Sequence, residues 1–325
     1  MKKKLLCVLT EAGAYTCIKP MLETWSASQS EFDWRVLVSH QVRTFMGDGD
    51  LAGRVLDLPI VDENVDLMFA DYHPDALLAS CSKKSIETTF VRAARKYRVP
   101  SLQFIDTWYG YASRLRTGDD TVLPDHVLVV DENARAEAIA EGIPPHCVMV
   151  AGHPGWEIVA PLPSTKSRDV VFLGSPIQRD YGNTLGYDED DAWALLCEVA
   201  AERRDLIDRL IYAPHPQQDA ANKPWGKVIS KYTPKMLRSV GSVVGCFSAP
   251  LVEAFLAGRR SITLQPSANK IDMNSLSRHG RLRRVVNKRQ LIDALGAPAA
   301  DPEALKNTLK GSAERFAREI LKVMP

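Results

Sequence analysis

What most restricts this chain is an alternation of short apolar or β-branched runs with helical patterns, and it occurs twice. The first series contains "KLLCVLT" (4–10), "DWRVLVSH" (33–40), "DALLASCS" (75–82), the helical "SIETTFVRAARKYR" (85–98), "VPSLQFID" (99–106) and "DHVLVVDE" (125–132). A helix through "NARAEAIAEG", stopped at Gly142, and the run "HCVMVAG" (146–152) close it. Short strands separated by helices predict βαβ units and a parallel sheet. Residues 153–168, "HPGWEIVAPLPSTKSR", carry Pro154, Pro161, Pro163 and a Ser-Thr-Lys-Ser run without periodicity, the pattern of a domain boundary.

The alternation restarts with "DVVFLGSP" (169–176), "DDAWALLCEVAAERRD" (190–205), "LIYAPHP" (210–216), "WGKVIS" (225–230), "SVVGCF" (242–247), "SAPLVEAFLAG" (248–258) and "RSITLQP" (260–266). The expected architecture is therefore α/β: two doubly wound Rossmann-like domains, 1–152 and 169–325, joined by a linker at 153–168 and facing each other across a cleft. The tail, 301–323, has an apolar stripe through Leu305, Leu309, Phe316 and Ile320 behind Asp301 and Pro302, which predicts one helix that packs back on the first domain.

The 325 residues suffice for two ordinary cores. With 41 Lys plus Arg against 40 Asp plus Glu, the net charge of +1 gives no reason to expect nucleic acid, so any anion site has to be local. Six scattered cysteines without a C-x-x-C pair read as buried, reduced thiols rather than a zinc site. The basic start "MKKKLLCVLT" has too short an apolar run for a secretory signal and reads as a first strand. No run approaches the roughly 18 apolar residues of a membrane span. A cytoplasmic enzyme is expected, with peripheral membrane contact left open.

In a parallel sheet, ligands bind beyond the carboxyl ends of the strands, where a helix start offers N–H groups and positive dipole to a phosphate. One such junction is "GCFSAPLVEAF": Ser248 either caps the helix or, with the N–H groups of Ala249 and Leu251, holds a phosphate, while Glu253 is either a solvated residue or a ribose acceptor. A second is "YAPHP", where His215 and Pro216 end a strand; a protonated imidazole there would offset charge on a departing nucleotide, although the chain has His-Pro also at His73 and His153. His153, at the domain boundary, reads as a hinge. A third is Asp106, either a turn cap or a general base, with Trp108, Tyr109 and Tyr111 either core or a sugar-stacking surface. Gly174, Ser175 and Arg179 form a further candidate phosphate loop that matches neither G-x-G-x-x-G nor the Walker pattern. Glu11, Gly13 and Tyr15, after the first strand, form a candidate acceptor loop. No metal motif is seen, so neither a metal nor a cofactor beyond the nucleotide-sugar co-substrate is expected.

The order of these features resembles the GT-B glycosyltransferase superfamily. "ETTFVRAARKYRVPSLQFID" is similar to the first-domain helix–strand pair of that fold and of the related hydrolysing UDP-N-acetylglucosamine 2-epimerases, and "PDHVLVVDENARAEAIAEGIPPHCVMVAGHPGWE" to the segment closing their first domain. "YAPHP" followed by "CFSAPLVEAFLAG" resembles the HP and serine-threonine motifs of bacterial sialyltransferases, Kdo transferases and CDP-glycerol polymer transferases. The resemblance implies His215 and Ser248 as phosphate ligands, Glu253 as a ribose contact and Asp106 as the base. It also implies a CMP-sugar donor in preference to a UDP-sugar. The implied reaction is metal-independent, inverting transfer to a hydroxyl of a surface glycan or lipid-linked acceptor. Ser248-Ala249 stands where those families carry paired hydroxyls, and "IDTWYG" lacks their consecutive acidic residues. A UDP-sugar 2-epimerase or sugar-nucleotide hydrolase is the alternative enzyme, although the acidic-Arg-Pro-Glu stretch of the epimerases is missing. A non-catalytic nucleotide- or glycan-binding module is the third reading.

Overall fold

The computed structural model describes residues 2–27, 32–46, 51, 55–57, 62–82, 86–117, 120–215, 218, 228–267 and 271–325. The chain divides into two compact units, Met1–Ile158 with Asn307–Pro325, and Val159–Lys306. Unit 1 carries β1 (Lys3–Leu9), β2 (Phe32–Val38), β3 (Val55–Asp57), β4 (Ala76–Ala79), β5 (Ser101–Phe104), a hairpin of β6 (Arg116–Thr117) with β7 (Asp120–Thr121), β8 (His126–Val129) and β9 (Val148–Val150). Its helices are α1 (Ala12–Ala27), α2 (His40–Phe45), α3 (Asp62–Tyr72), α4 (Ile86–Tyr97), α5 (Glu132–Ala140) and α6 (Pro154–Glu157).

Seven of these strands form one parallel sheet, in the order β3-β2-β1-β4-β5-β8-β9. β1 supplies both of its faces. Leu5, Cys7 and Leu9 pack with Ile18, Leu22 and Trp34, whereas Leu6 and Val8 pack with Phe69 and Phe90, as the two-residue period of a strand requires. A strand apolar on both faces belongs at the centre of a helix-covered parallel sheet, and β1 lies there.

Unit 2 carries β10 (Val170–Leu173), β11 (Leu210–Ala213), β12 (Val228–Ile229), β13 (Ser242–Gly245), β14 (Arg260–Leu264) and β15 (Arg284–Val285), with α7 (Ile177–Tyr181), α8 (Glu189–Glu202), α9 (Ala249–Leu256), α10 (Ser275–Arg278) and α11 (Lys288–Gly296). Its six strands are parallel, ordered β12-β11-β10-β13-β14-β15. Phe172 and Tyr212 pack against Trp193 of α8, which starts in a capping box between Asp188 and Asp191. The fold is thus α/β, with two parallel-sheet Rossmann-like halves.

The chain ends in α12 (Glu303–Leu309) and α13 (Ser312–Val323). Where the apolar stripe predicted one continuous helix, Gly311 at φ 75° breaks it in two, a left-handed conformation that costs glycine little. All four stripe residues are nevertheless buried. Phe316 of α13 meets Phe104 of β5 edge-on at 5.6 Å, and the Ala313 N–H donates to Glu157 at 2.9 Å, both within unit 1.

The start of the expected linker is ordered. His153 caps α6, its Nδ1 accepting the Trp156 N–H at 3.0 Å, and its ring stacks on Trp156 with centroids 3.7 Å apart. Burial lowers its pKa to about 3, so it caps α6 as a neutral imidazole.

Candidate functional site

Each sheet has a point where the strand order turns back on itself: between β1 and β4 in unit 1, and between β10 and β13 in unit 2. At such a point the connections leave toward opposite faces and open a crevice beyond the strand ends. The residues following those strands are the place to look.

In unit 2, Leu173 and Gly245 lie side by side as the last residues of β10 and β13. Gly174 and Ser175 follow the first, and Cys246 to Ser248 follow the second. Ser248 is the N-cap of α9 with extended backbone, yet its side chain makes no cap hydrogen bond. Its Oγ is buried and has no partner among the described residues. A serine that acts as a cap spends its hydroxyl on a first-turn N–H, and Ser248 does not. The Leu251 N–H, expected to face a phosphate, instead donates to the Ser248 carbonyl at 3.0 Å, and Pro250 has no N–H to offer. That leaves Ala249, exposed at the first helical position, as the backbone donor of this turn.

Glu253 follows on α9, half-buried, with the Tyr232 hydroxyl 3.5 Å away. Burial pushes its carboxyl up to about 7, a trend the Tyr232 hydrogen bond opposes. The group therefore titrates near neutrality.

His215 leaves β11 half-buried. Burial and then the nearby Arg179 lower its pKa, with Asp180 opposing. The lowered pKa favours the neutral ring, a hydrogen-bonding group. Arg179 is exposed and pairs with its neighbour Asp180 at 2.7 Å. Exposed pairs of this kind are worth roughly 0–1 kcal/mol, so a phosphate can compete for the guanidinium. Unit 2 thus brings Gly174, Ser175, Arg179 and His215 to neighbouring strand ends, with Ser248, Ala249 and Glu253 on the next; Pro216 lies outside the described residues.

In unit 1 the ends of β1 and β4 are again adjacent, Val8, next to last in β1, lying opposite Ala79 at the end of β4. Gly13 opens α1 so close to Asp106 that a Cβ there would lie 2.7 Å from the Asp106 Oδ2. Asp106 keeps some surface exposure while protein surrounds its carboxyl; burial raises its pKa and Arg114 opposes the rise. Arg114 itself is buried, donates to the Cys81 carbonyl at 3.1 Å, and lies 5.0 Å from the centre of the Tyr109 ring. Burial works to lower the guanidinium's pKa, but Tyr109, Asp106 and Glu11 together raise it. Asp106, Glu11 and Tyr109, all half-buried, therefore gather around the buried Arg114, with the exposed Gly13 against Asp106.

Beneath it lies Glu87, which no sequence signal singled out. This buried carboxylate of the first turn of α4 accepts from Ser80 Oγ at 3.0 Å, from Ser82 Oγ at 2.7 Å and from Thr10 Oγ1. It ties the ends of β1 and β4 together. Neither Glu87 nor Arg114 has a recognisable spacing; only tertiary burial gives them meaning.

Two aromatic residues are corrected. Trp108 is buried, stacked on Trp156 with centroids 4.9 Å apart, and its Nε1 donates to Asp131 at 2.9 Å, so it offers no face to a sugar. Tyr111 is likewise buried, its hydroxyl donating to Glu137 at 3.0 Å. Tyr109 alone of the three keeps surface exposure. Tyr15 also lies in the core.

Among the described residues no group of three or more His, Cys, Asp or Glu is placed to hold a metal ion, and no helix is long and apolar enough to cross a membrane. No protein-family model matches the chain. No curated protein matches its sequence. Solved structures do match its fold over essentially the whole length. The UDP-GlcNAc 2-epimerase from Methanocaldococcus jannaschii is similar with a TM-score of 0.67 at 13% identity, covering 98% of this chain and 99% of that one. The UDP-GlcNAc 2-epimerase from Neisseria meningitidis, bound to UDP-GlcNAc, is similar with a TM-score of 0.66 at 12% identity, covering 98% and 100%. The glycotransferase of kitacinnamycin is similar with a TM-score of 0.56 at 16% identity, covering 100% of both chains. The two Rossmann-like halves of this chain are thus those of the fold that these enzymes share.

Proposed function

We propose that this chain is an enzyme acting on a nucleotide sugar, and that it works as a UDP-sugar 2-epimerase or sugar-nucleotide hydrolase. The observation that carries nucleotide binding is the buried Ser248 Oγ, without a partner among the described residues, at the strand-to-helix junction of the unit 2 switch point. In this reading Ser248, Ala249, Gly174, Ser175, His215 and Arg179 receive the diphosphate, and Glu253 accepts from the ribose hydroxyls. Asp106 is the proton-transfer group. Burial raises its pKa and so strengthens it as a base, and Arg114 opposes that rise. For epimerisation Asp106 takes the C2 proton as the C1–oxygen bond to the nucleoside diphosphate breaks and a C1–C2 double bond forms; return of a proton to the opposite face of C2 and of the nucleoside diphosphate, or of water in hydrolysis, to C1 completes the reaction. The helix start stabilises the leaving phosphate.

Two observations support the epimerase or hydrolase over a transferase. UDP-GlcNAc 2-epimerases recur among the similar structures. Asp106 is also not alone, since Glu11 acts on the same Arg114 and gives the cluster a second carboxyl for returning a proton. The second reading, inverting transfer to a hydroxyl of a glycan or lipid-linked acceptor, draws support from the kitacinnamycin glycotransferase and from the HP and serine-motif order. It keeps the same donor site, with a sialyltransferase-like or Kdo transferase-like CMP-sugar as the donor and Asp106 deprotonating the acceptor.

Incubation in heavy water with UDP-GlcNAc, and separately with a CMP-sugar, discriminates between them. The epimerase reading expects one deuterium at C2 of recovered sugar and turnover without any acceptor. Turnover that requires an added acceptor and leaves C2 unlabelled would favour the transferase.

A further inference from the structure

Gln218 lies three residues beyond His215, in the turn after β11, and its side-chain amide uses its full hydrogen-bonding capacity. Oε1 accepts the His215 N–H at 2.8 Å and lies 3.4 Å from the Tyr212 hydroxyl. Nε2 donates to the Ser175 carbonyl at 3.1 Å and to Glu189 Oε1 at 3.2 Å. Two donors and two acceptors are all that a primary amide has, so this pattern also fixes which end is nitrogen. Glu189, buried in the first turn of α8, spends its other oxygen on the Gln178 N–H at 3.0 Å. The amide thus joins three segments: the loop after β10, the turn after β11 and the start of α8.

Gly174 fits this arrangement. A Cβ at that position would run into Gln218 Oε1 and lie 3.0 Å from the Tyr212 hydroxyl. The absence of a side chain is what lets the amide cross over the end of β10.

We infer that Gln218 is a positioning residue for phosphate binding: through its bonds to Ser175 and His215 it sets the separation of the loop after β10, which borders the unit 2 switch point, from the turn after the neighbouring β11, and so the site's selectivity for a diphosphate over a bare nucleoside. It does not contact the ligand. This rests on the reading of unit 2 as a nucleotide site and adds to it a residue and a division of labour. Phosphate recognition depends on the Gln218–Glu189 link, whereas ribose recognition at Glu253, on α9, does not.

The test is Gln218→Met, close in shape but without the amide, measured on the full chain with UDP by calorimetry and with uridine by ligand-observed NMR. UDP binding is expected to weaken about tenfold, the scale of one hydrogen bond to a charged group, while uridine binding stays within about twofold. Glu189→Gln, which keeps the shape and one acceptor, is expected to lie in between and serves if Gln218→Met does not fold. Equal weakening of UDP and uridine would mean a merely structural residue and would overturn the inference, as would unchanged UDP binding. If the wild-type chain binds neither UDP nor CDP, the nucleotide-site reading itself fails, an outcome distinct from either of these.

Discussion

Glu253 carries a charge that depends on pH within the working range of an enzyme. Its carboxyl, lifted by burial to about 7, is protonated at pH 6 and ionised at pH 8. The ionised form offers a charged oxygen to each of the two ribose hydroxyls and accepts from them more strongly than the protonated form. Nucleoside affinity is therefore expected to rise between pH 6 and pH 8, and Glu253→Gln to remove that part of the pH dependence; titration calorimetry at the two pH values measures both. Asp106 makes a harder demand. Asp106→Asn keeps the shape beside Gly13 but cannot take a proton, and it should lower kcat by about 10²–10⁴-fold while nucleotide affinity stays near wild type, as steady-state rates and calorimetry would reveal. At this scale legibility in the sequence was uneven. Ser248, His215 and Asp106 stand directly after apolar runs, where strand-end reasoning finds them. Arg114, Glu87 and Gln218 stand in ordinary polar stretches, and only burial and the partners brought by distant segments give them a role.

The junctions between elements explain what the patterns could and could not foretell. "DTWYGY" read equally well as a sugar platform or as packing. The outcome was settled by Trp156 and Asp131, which close over the Trp108 indole from α6 and from the cap of α5. Trp108→Ala is accordingly expected to cost about 3–5 kcal/mol in denaturant unfolding, the usual penalty of emptying a core aromatic site. The crossing of α6 over α1 is equally tight, because a Cβ on Gly155 would collide with the Thr16 carbonyl. Gly155→Ala should destabilise unit 1 by about 1–3 kcal/mol, measured the same way, since backbone rather than a flexible side chain has to move. The tail read as one helix because Leu305, Leu309, Phe316 and Ile320 keep a helical spacing through Gly311. Spacing carries no information about backbone hand, and φ 75° at that glycine is what divides the stripe.

For the molecule as a whole, the repeated strand–helix alternation was enough to foretell two parallel sheets, because strands apolar on both faces have few other places to go. What the alternation could not supply was strand order. The order, with its reversals beside β1 and beside β10, is what brings scattered strand-end residues to two switch points. The account stands on the second of these as a nucleotide site. The most direct test is thermal unfolding of the full chain with UDP, CDP, CMP and GDP in turn. At a ligand concentration about 100 times Kd, a nucleotide that binds only the folded state adds about 2.7 kcal/mol of stability. The account predicts a clear rise in Tm with a pyrimidine nucleotide, UDP foremost, and a much smaller one in Ser248→Ala. No rise with any of the four nucleotides, or an undiminished rise in Ser248→Ala, would contradict it.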